Sequence, residues 1–203
     1  MVHDHSLSTS RIESFSDGVF GVVATLLVLN IKISDIIKNP TTQIGLKELA
    51  PVLPQIIGFG LSFFTICVFW VNHHEFFHAL KKVDTTLLWL NNLLLFWLCF
   101  VPFPTSFVGT YPSSKTAAIF YGSVLFMASL SFSLMRYYAF IRSDLHHDHI
   151  TLEERKRSFR WTYWGLSLWS LSIVGAFISV YISLTIFVLV PLIYLFPRKV
   201  RFV

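Results

Sequence analysis

Charge is scarce in this sequence. Asp, Glu, Lys and Arg together make up 13% of its 203 residues, against 54% hydrophobic residues and a mean hydropathy of +0.64. So few charges cannot cover the water-facing surface of a domain this size, which excludes a soluble protein and makes lipid the solvent. Cysteine is also scarce: Cys67 and Cys99 both fall inside apolar runs, where a thiol is expected as a small packing residue. A disulfide framework is therefore excluded. The segment Met1 to Ser10, with His3, Asp4 and His5, lacks the basic, small-residue-cleaved pattern of a secretory signal, so the first apolar segment is expected to be retained. Acidic residues number only 11 against 16 basic ones, giving a net charge of +5. The basic residues sit at the ends of apolar runs, where they orient a membrane chain, and nucleic-acid binding is discarded on that ground.

What remains is apolar sequence sufficient for about six spans of ~20 residues with short connections. The fold class is an all-α membrane protein, a single transmembrane domain over 1–203. Its helices are expected at roughly 14–35, 53–79, 84–107, 115–141, 159–177 and 180–196. The last pair divides somewhere within Gly175 to Ser183. Asn39, Pro40, Pro51 and Pro54 break the chain between helices 1 and 2, while Pro102, Pro104 and Pro112 bracket the exit from helix 3. The segment Ser143 to Lys156, with His146, His147, Asp148 and His149, reads as the one clearly hydrophilic loop.

An even number of spans puts both termini on one side. On that side lie Arg11, Lys81, Lys82, Arg142, Arg155, Lys156, Arg157, Arg160, Arg198, Lys199 and Arg201, against Lys32, Lys38, Lys47 and Lys115 opposite. Positive charge accumulates on the cytoplasmic side, so both termini are expected there, in a multi-pass protein of the cell membrane. The two halves of the chain show no repeat, which gives an inverted-repeat transporter no support.

Helix 1 carries the most informative residues. At about 100° per residue, Val22, Leu26 and Leu29 share one face within about 40°, with Thr25 on its flank, while Asp17 points about 140° away. An acidic residue at the start of an apolar span is costly, and energetics alone leaves two uses for Asp17. It can pair with a neighbouring helix, or stay wetted at the interface where the helix dipole favours it. Gly18 and Gly21 permit close helix contact.

Arg11, Phe15, Ser16, Asp17 and Gly18 form an R-x-x-x-F-S-D-G motif, followed by Thr25-Leu26-Leu27-Val28-Leu29. This motif resembles the signature of the transmembrane protein 175 family of potassium channels, whose single-repeat members are prokaryotic. The resemblance implies a homotetramer of six-helix subunits in a prokaryotic inner membrane, passing K+ passively along a pore lined by helix 1. Val22, Leu26 and Leu29 would then be stacked apolar rings, with Thr25 oxygens nearby. Arg11, Phe15, Ser16, Asp17, Gly18, Trp70, Asn72 and His73 would pack helix 1 against helices 2 and 3. The sequence departs from the family pattern at Val22, where a larger Ile or Leu is common. It departs again at Asn30, where an acidic residue is common and would form a ring of negative charge at the mouth.

Other candidates are weaker. Val108-Gly109-Thr110-Tyr111 has filter-like letters in the wrong order and reads as a turn. His74 and His78 have metal-ligand spacing but lack a third ligand, so no metal is expected. His73 is expected to hydrogen-bond to Asn72, Asn91, Asn92 or Asp17. Trp161, Tyr163 and Trp164 resemble an interfacial belt. The expected function is a potassium-selective channel that is not an enzyme and needs no cofactor, its partners being its own copies, lipid and K+. The rivals are a membrane enzyme or carrier, which would require an intramembrane reactive constellation, and a structural subunit without a conduit.

Overall fold

The structure, a computed structural model, describes residues 9–32, 49–143 and 145–195. Helices account for nearly all of them: α1 (Thr9–Leu26), α2 (Leu53–His78), α3 (Thr85–Phe100), α4 (Pro102–Thr110), α5 (Lys115–Tyr137), α6 (Leu152–Ile178) and α7 (Val180–Leu195). Short 3-10 turns extend α1 at Leu27–Asn30 and precede α2 at Ala50–Val52, and a π turn, Tyr138–Arg142, extends α5. With these extensions the helices form six columns. Among the described residues, four columns are long and apolar enough to cross a membrane: Thr9–Asn30, Ala50–His78, Thr85–Thr110 and Lys115–Arg142. The apolar helix Val180–Tyr194 is shorter. The remaining column, α6, opens with Glu153, Glu154, Arg155, Lys156 and Arg157 and is not among the helices apolar enough to count as a span.

Several boundaries differ from the sequence expectation, each for a local reason. Helix 1 begins at Thr9, and its end tightens to 3-10 before Ile31 leaves in an extended conformation. The expected continuation through 33–35 lies outside the described residues, as do Lys38, Asn39, Pro40, Lys47, residue 196, Arg198, Lys199, Arg201 and the side chain of Trp161. In the third column Asp84 is the N-cap, its carboxylate accepting from the Leu87 N–H, and the helix does not exit at its prolines. Val101 keeps helical angles, and Pro102 then opens α4 in the first turn, where a missing N–H costs nothing. Val108 to Thr110 are consequently helical rather than a turn, and Tyr111 caps them. The expected hydrophilic loop is shorter than 143–156 and the fifth helix starts earlier than 159. The cause is a capping box: Thr151 Oγ1 accepts from the Glu154 N–H and the Glu154 carboxylate accepts from the Thr151 N–H, so the helix begins at Leu152. Ser179 alone, in an extended conformation, separates α6 from α7. Cys99 is exposed rather than packed inside.

The core forms around α5, which contacts α3, α4, α6 and α7. Its buried residues Ala117, Ala118, Tyr121, Gly122, Val124, Leu125, Ala128 and Ser129 include small ones that let the neighbouring helices approach. At Gly122 a Cβ would lie 2.9 Å from Ser172 Oγ on α6. Farther along α5, Arg136 is buried, its guanidinium 4.4 Å from the Phe132 ring centroid and donating to Thr162 Oγ1 of α6 at 2.9 Å. A buried guanidinium among spans needs such partners, and here they tie α5 to α6.

The α1 helix stands at the edge of this bundle, against α2 and α3. Ile12, Ser16, Phe20, Val23 and Leu27 recur at spacings of three and four and form its buried stripe. Among the described residues, none covers the opposite side of α1, where Phe15, Val22, Leu26 and Leu29 are exposed.

Candidate functional site

The buried side of α1 is fixed by polar bonds as well as by packing. Asn91 Nδ2 on α3 donates to Ser16 Oγ at 3.0 Å, and Asn91 Oδ1 lies 2.8 Å from His73 Nε2 on α2. The amide oxygen can only accept, so Nε2 carries the hydrogen and donates it. All three side chains are buried. This chain of two bonds ties α1, α2 and α3 together in a region where an unpaired polar group would be costly. The His73 ring also packs edge-on against Phe20, centroids 5.3 Å apart, and lies tilted against Phe77 at 4.6 Å. Of the partners that the sequence offered for His73, the fold selects Asn91.

Asp17 lies at the rim of the same contact. Its Oδ1 accepts from Trp70 Nε1 of α2 at 2.8 Å, and both side chains are exposed on the protomer. The other members of the motif lie elsewhere. Asn72 Nδ2 donates to the Val68 carbonyl of its own helix, while Arg11, Phe15 and Gly18 lie on the uncovered side of α1, Phe15 being 60% exposed. A Cβ placed on Gly18 would meet nothing within 4 Å.

Val22, Leu26 and Leu29 lie on that uncovered side, 56%, 44% and 72% exposed. Thr25 is exposed between them, and its hydroxyl donates to the Gly21 and Val22 carbonyls of its own helix at 3.0 and 2.9 Å. With the hydroxyl hydrogen used locally, the lone pairs of Oγ1 stay available to accept. The face can therefore offer an aliphatic surface interrupted by the Thr25 hydroxyl oxygen. It offers no nucleophile paired with a base.

The end of the helix is held by two bonds that the sequence did not foretell, one of them to Gln55, a residue it left unremarked. Asn30 Nδ2 donates to the Pro102 carbonyl at 2.8 Å, and the Lys32 N–H donates to Gln55 Oε1 at 2.8 Å. A polar Gln in the first turn of the apolar helix α2 was the available signal. Elsewhere, the His74 and His78 rings meet edge to face at 4.5 Å, and among the described residues no three His, Cys, Asp or Glu side chains are grouped to hold a metal ion.

The loop after the fifth element is not free. Leu145 and His147 bond to the α2–α3 connection, through Lys81 N–H to the Leu145 carbonyl at 2.9 Å and His147 N–H to the Ala79 carbonyl at 3.0 Å. The Lys81 ammonium donates to Asp148 Oδ1 at 2.8 Å, and this bond holds the Asp148 carboxyl below its ordinary range.

Comparison with known proteins agrees with this arrangement. Residues 11–102, which include the motif, α2, α3 and their contacts with α1, match the family described as Endosomal/lysosomal potassium channel TMEM175. A protein named potassium channel from Chryseobacterium sp. (strain P1-3) is 31% identical over 193 residues, covering 95% of each chain. Another of that name from Chamaesiphon minutus is 34% identical over 187 residues, 86% of this chain and 87% of the other. The crystal structure of a lysosomal potassium-selective channel TMEM175 homolog from Chamaesiphon minutus superposes with a TM-score of 0.77 at 29% identity, over 92% of this chain and 96% of that one. With its six helical columns, its motif-bearing first helix and relatives matched over almost their whole length, the chain belongs to the TMEM175 family.

Proposed function

We propose that the protein is a potassium-selective cation channel of the cell membrane, built as a homotetramer in which four copies of α1 surround a central axis and both termini are cytoplasmic. One observation carries this reading: Val22, Leu26 and Leu29 share a face of α1 that the other described residues leave uncovered, while Ser16 and Asp17 anchor the helix from elsewhere on its surface. The names of the relatives supply the ion. The distribution of basic residues supports the orientation.

In such a bundle aliphatic side chains line the conduit. They cannot coordinate a cation, and a narrow ring of them sheds water, so Val22, Leu26 and Leu29 act as barrier and gate. Potassium gives up its hydration more cheaply than sodium. A narrow apolar passage beside Thr25 oxygens therefore favours the larger ion, and moderately, because no cage of carbonyls replaces the lost water. Arg11, Phe15 and Gly18, on the uncovered side, then lie between subunits or at the cytoplasmic entrance. K+ is the permeant ion, and the mechanism requires no cofactor.

The test is reversal potentials for potassium and sodium, measured with purified protein in liposomes alongside its oligomeric mass. A passive, potassium-favouring current from a tetramer, altered by Leu26→Ala and Leu29→Ala, is expected. Saturable exchange would favour a carrier, and silence from a correctly assembled protein would favour a structural subunit.

A further inference from the structure

The last turn of the first column is wound more tightly than the rest of it. Leu27–Asn30 is a 3-10 turn, closed by the Ile31 N–H on the Val28 carbonyl at 3.1 Å. In α winding, residues three apart differ by about 60° around the axis, whereas in 3-10 winding they eclipse. The tighter turn therefore brings Leu29 into line with Leu26. A 3-10 turn is common at the end of an α-helix, and contacts from neighbouring helices can hold such a turn in place.

Two bonds from the neighbouring helices do so. Asn30 Nδ2 donates to the Pro102 carbonyl, and the Lys32 N–H, just past the turn, donates to Gln55 Oε1, each at 2.8 Å. Pro102 opens α4 and Gln55 lies in the first turn of α2. These two anchors form one packed unit: Gln55 is buried, and Gly109 of α4 sits so near it that a Cβ there would lie 3.1 Å from Gln55 Cα. The side chain of Asn30 is thereby turned into the protomer, away from the face that Leu29 presents.

We infer that Asn30 and Gln55 are positioning residues for the constriction at Leu29: they hold the end of α1 in 3-10 winding and couple it to α4. This rests on the reading of α1 as the pore helix. Because both anchors sit on the α2–α4 unit, a shift of α4 carries Leu29 with it. A residue at position 30 acts on permeation through the direction of its hydrogen bond and not through charge at the mouth.

Four variants test this in planar bilayers, each first checked for tetrameric mass: Asn30→Asp, of the same size but without the amide donor; Asn30→Gln, which keeps one; Gln55→Leu; and Leu29→Ala as reference. The readouts are unitary K+ conductance at low and high salt and the K+/Na+ permeability ratio. Loss of one neutral hydrogen bond shifts the balance between the two windings about fivefold. Asn30→Asp and Gln55→Leu are thus expected to move the permeability ratio in the direction of Leu29→Ala, with Asn30→Gln close to native. The inference is overturned if Asn30→Asp raises low-salt conductance at an unchanged ratio, as a carboxylate at the mouth would, or if both anchor variants match native while Leu29→Ala does not. A Leu29→Ala variant without effect would instead remove the pore reading itself, and this inference with it. Should Asn30→Asp fail to assemble, Gln55→Leu decides the case.

Discussion

The Trp70 indole donates to the Asp17 carboxylate across 2.8 Å, one helical turn from the place where His73 meets Asn91. The same side of α2 therefore holds α1 twice, once at an exposed rim and once in a buried core. The two contacts are expected to respond differently to mutation.

At the rim, Trp70→Phe removes the donor and keeps the ring. A hydrogen bond to a charged acceptor lies at the strong end of the range, but both partners are exposed on the protomer, so a cost of about 1 kcal/mol is expected. For a chain of this length that corresponds to a fall of about 3 °C in melting temperature. Thermal challenge followed by size-exclusion chromatography in detergent measures it; a loss of ten degrees or more would mean that Asp17 is shielded in the assembly.

In the core, Asn91→Leu removes the partner that the His73 Nε2–H and Ser16 Oγ share. Stranding buried polar groups costs about 1–3 kcal/mol each, so this single change is expected to be far more damaging than Trp70→Phe. Replacing all three together, as Ser16→Ala, His73→Phe and Asn91→Leu, removes the stranded groups and is expected to recover most of the stability. Strict additivity across the three sites, read from the same thermal assay, would rule out a coupled chain.

Between α5 and α6 the prediction concerns space. A methyl group on Gly122 would meet Ser172 Oγ at 2.9 Å and Ile173 Cγ1 at 3.1 Å, so Gly122→Ala must push two packed helices apart. Overpacking of this kind costs about 1–3 kcal/mol. Adding Ser172→Ala removes the nearer atom and is expected to restore part of the loss; no recovery would place the strain at Ile173 instead.

The loop contact between Lys81 and Asp148 predicts a pH dependence with a definite sign. Lys81 stabilises the ionised carboxylate, which lowers the Asp148 pKa in the folded protein. The contact is therefore complete above the ordinary carboxylate range and is lost as pH falls through the depressed folded-state value. Carbon-detected NMR of the Asp carboxyls in nanodiscs is expected to give a titration midpoint for Asp148 that returns upward to the ordinary range in Lys81→Met. An unchanged midpoint in that variant would show that the bond does not hold the loop in solution.

The six-column layout was legible because apolar runs and their polar ends are properties of the chain itself. The breaks were less so. Pro102 reads as a helix end from sequence, yet it opens α4, because a proline in a first turn forfeits no bond and Val101 can keep helical angles. The start of α6 was missed for the opposite reason: Thr151 and Glu154 form their box within a segment whose charges read as loop.

For the candidate site, sequence determined the face. Helical periodicity groups Val22, Leu26 and Leu29 whatever surrounds them, since 3.6 residues per turn is a local rule. Only the tertiary structure decided which groups hold that face in place. Asn91 was one of several polar residues within plausible reach of His73, and nothing local marked Pro102 or Gln55 as partners of residues 72 and 23 positions away. Hydrogen bonds between distant segments depend on how helices cross, and the crossing is set by the whole core packed around α5 rather than by any stretch of sequence read alone.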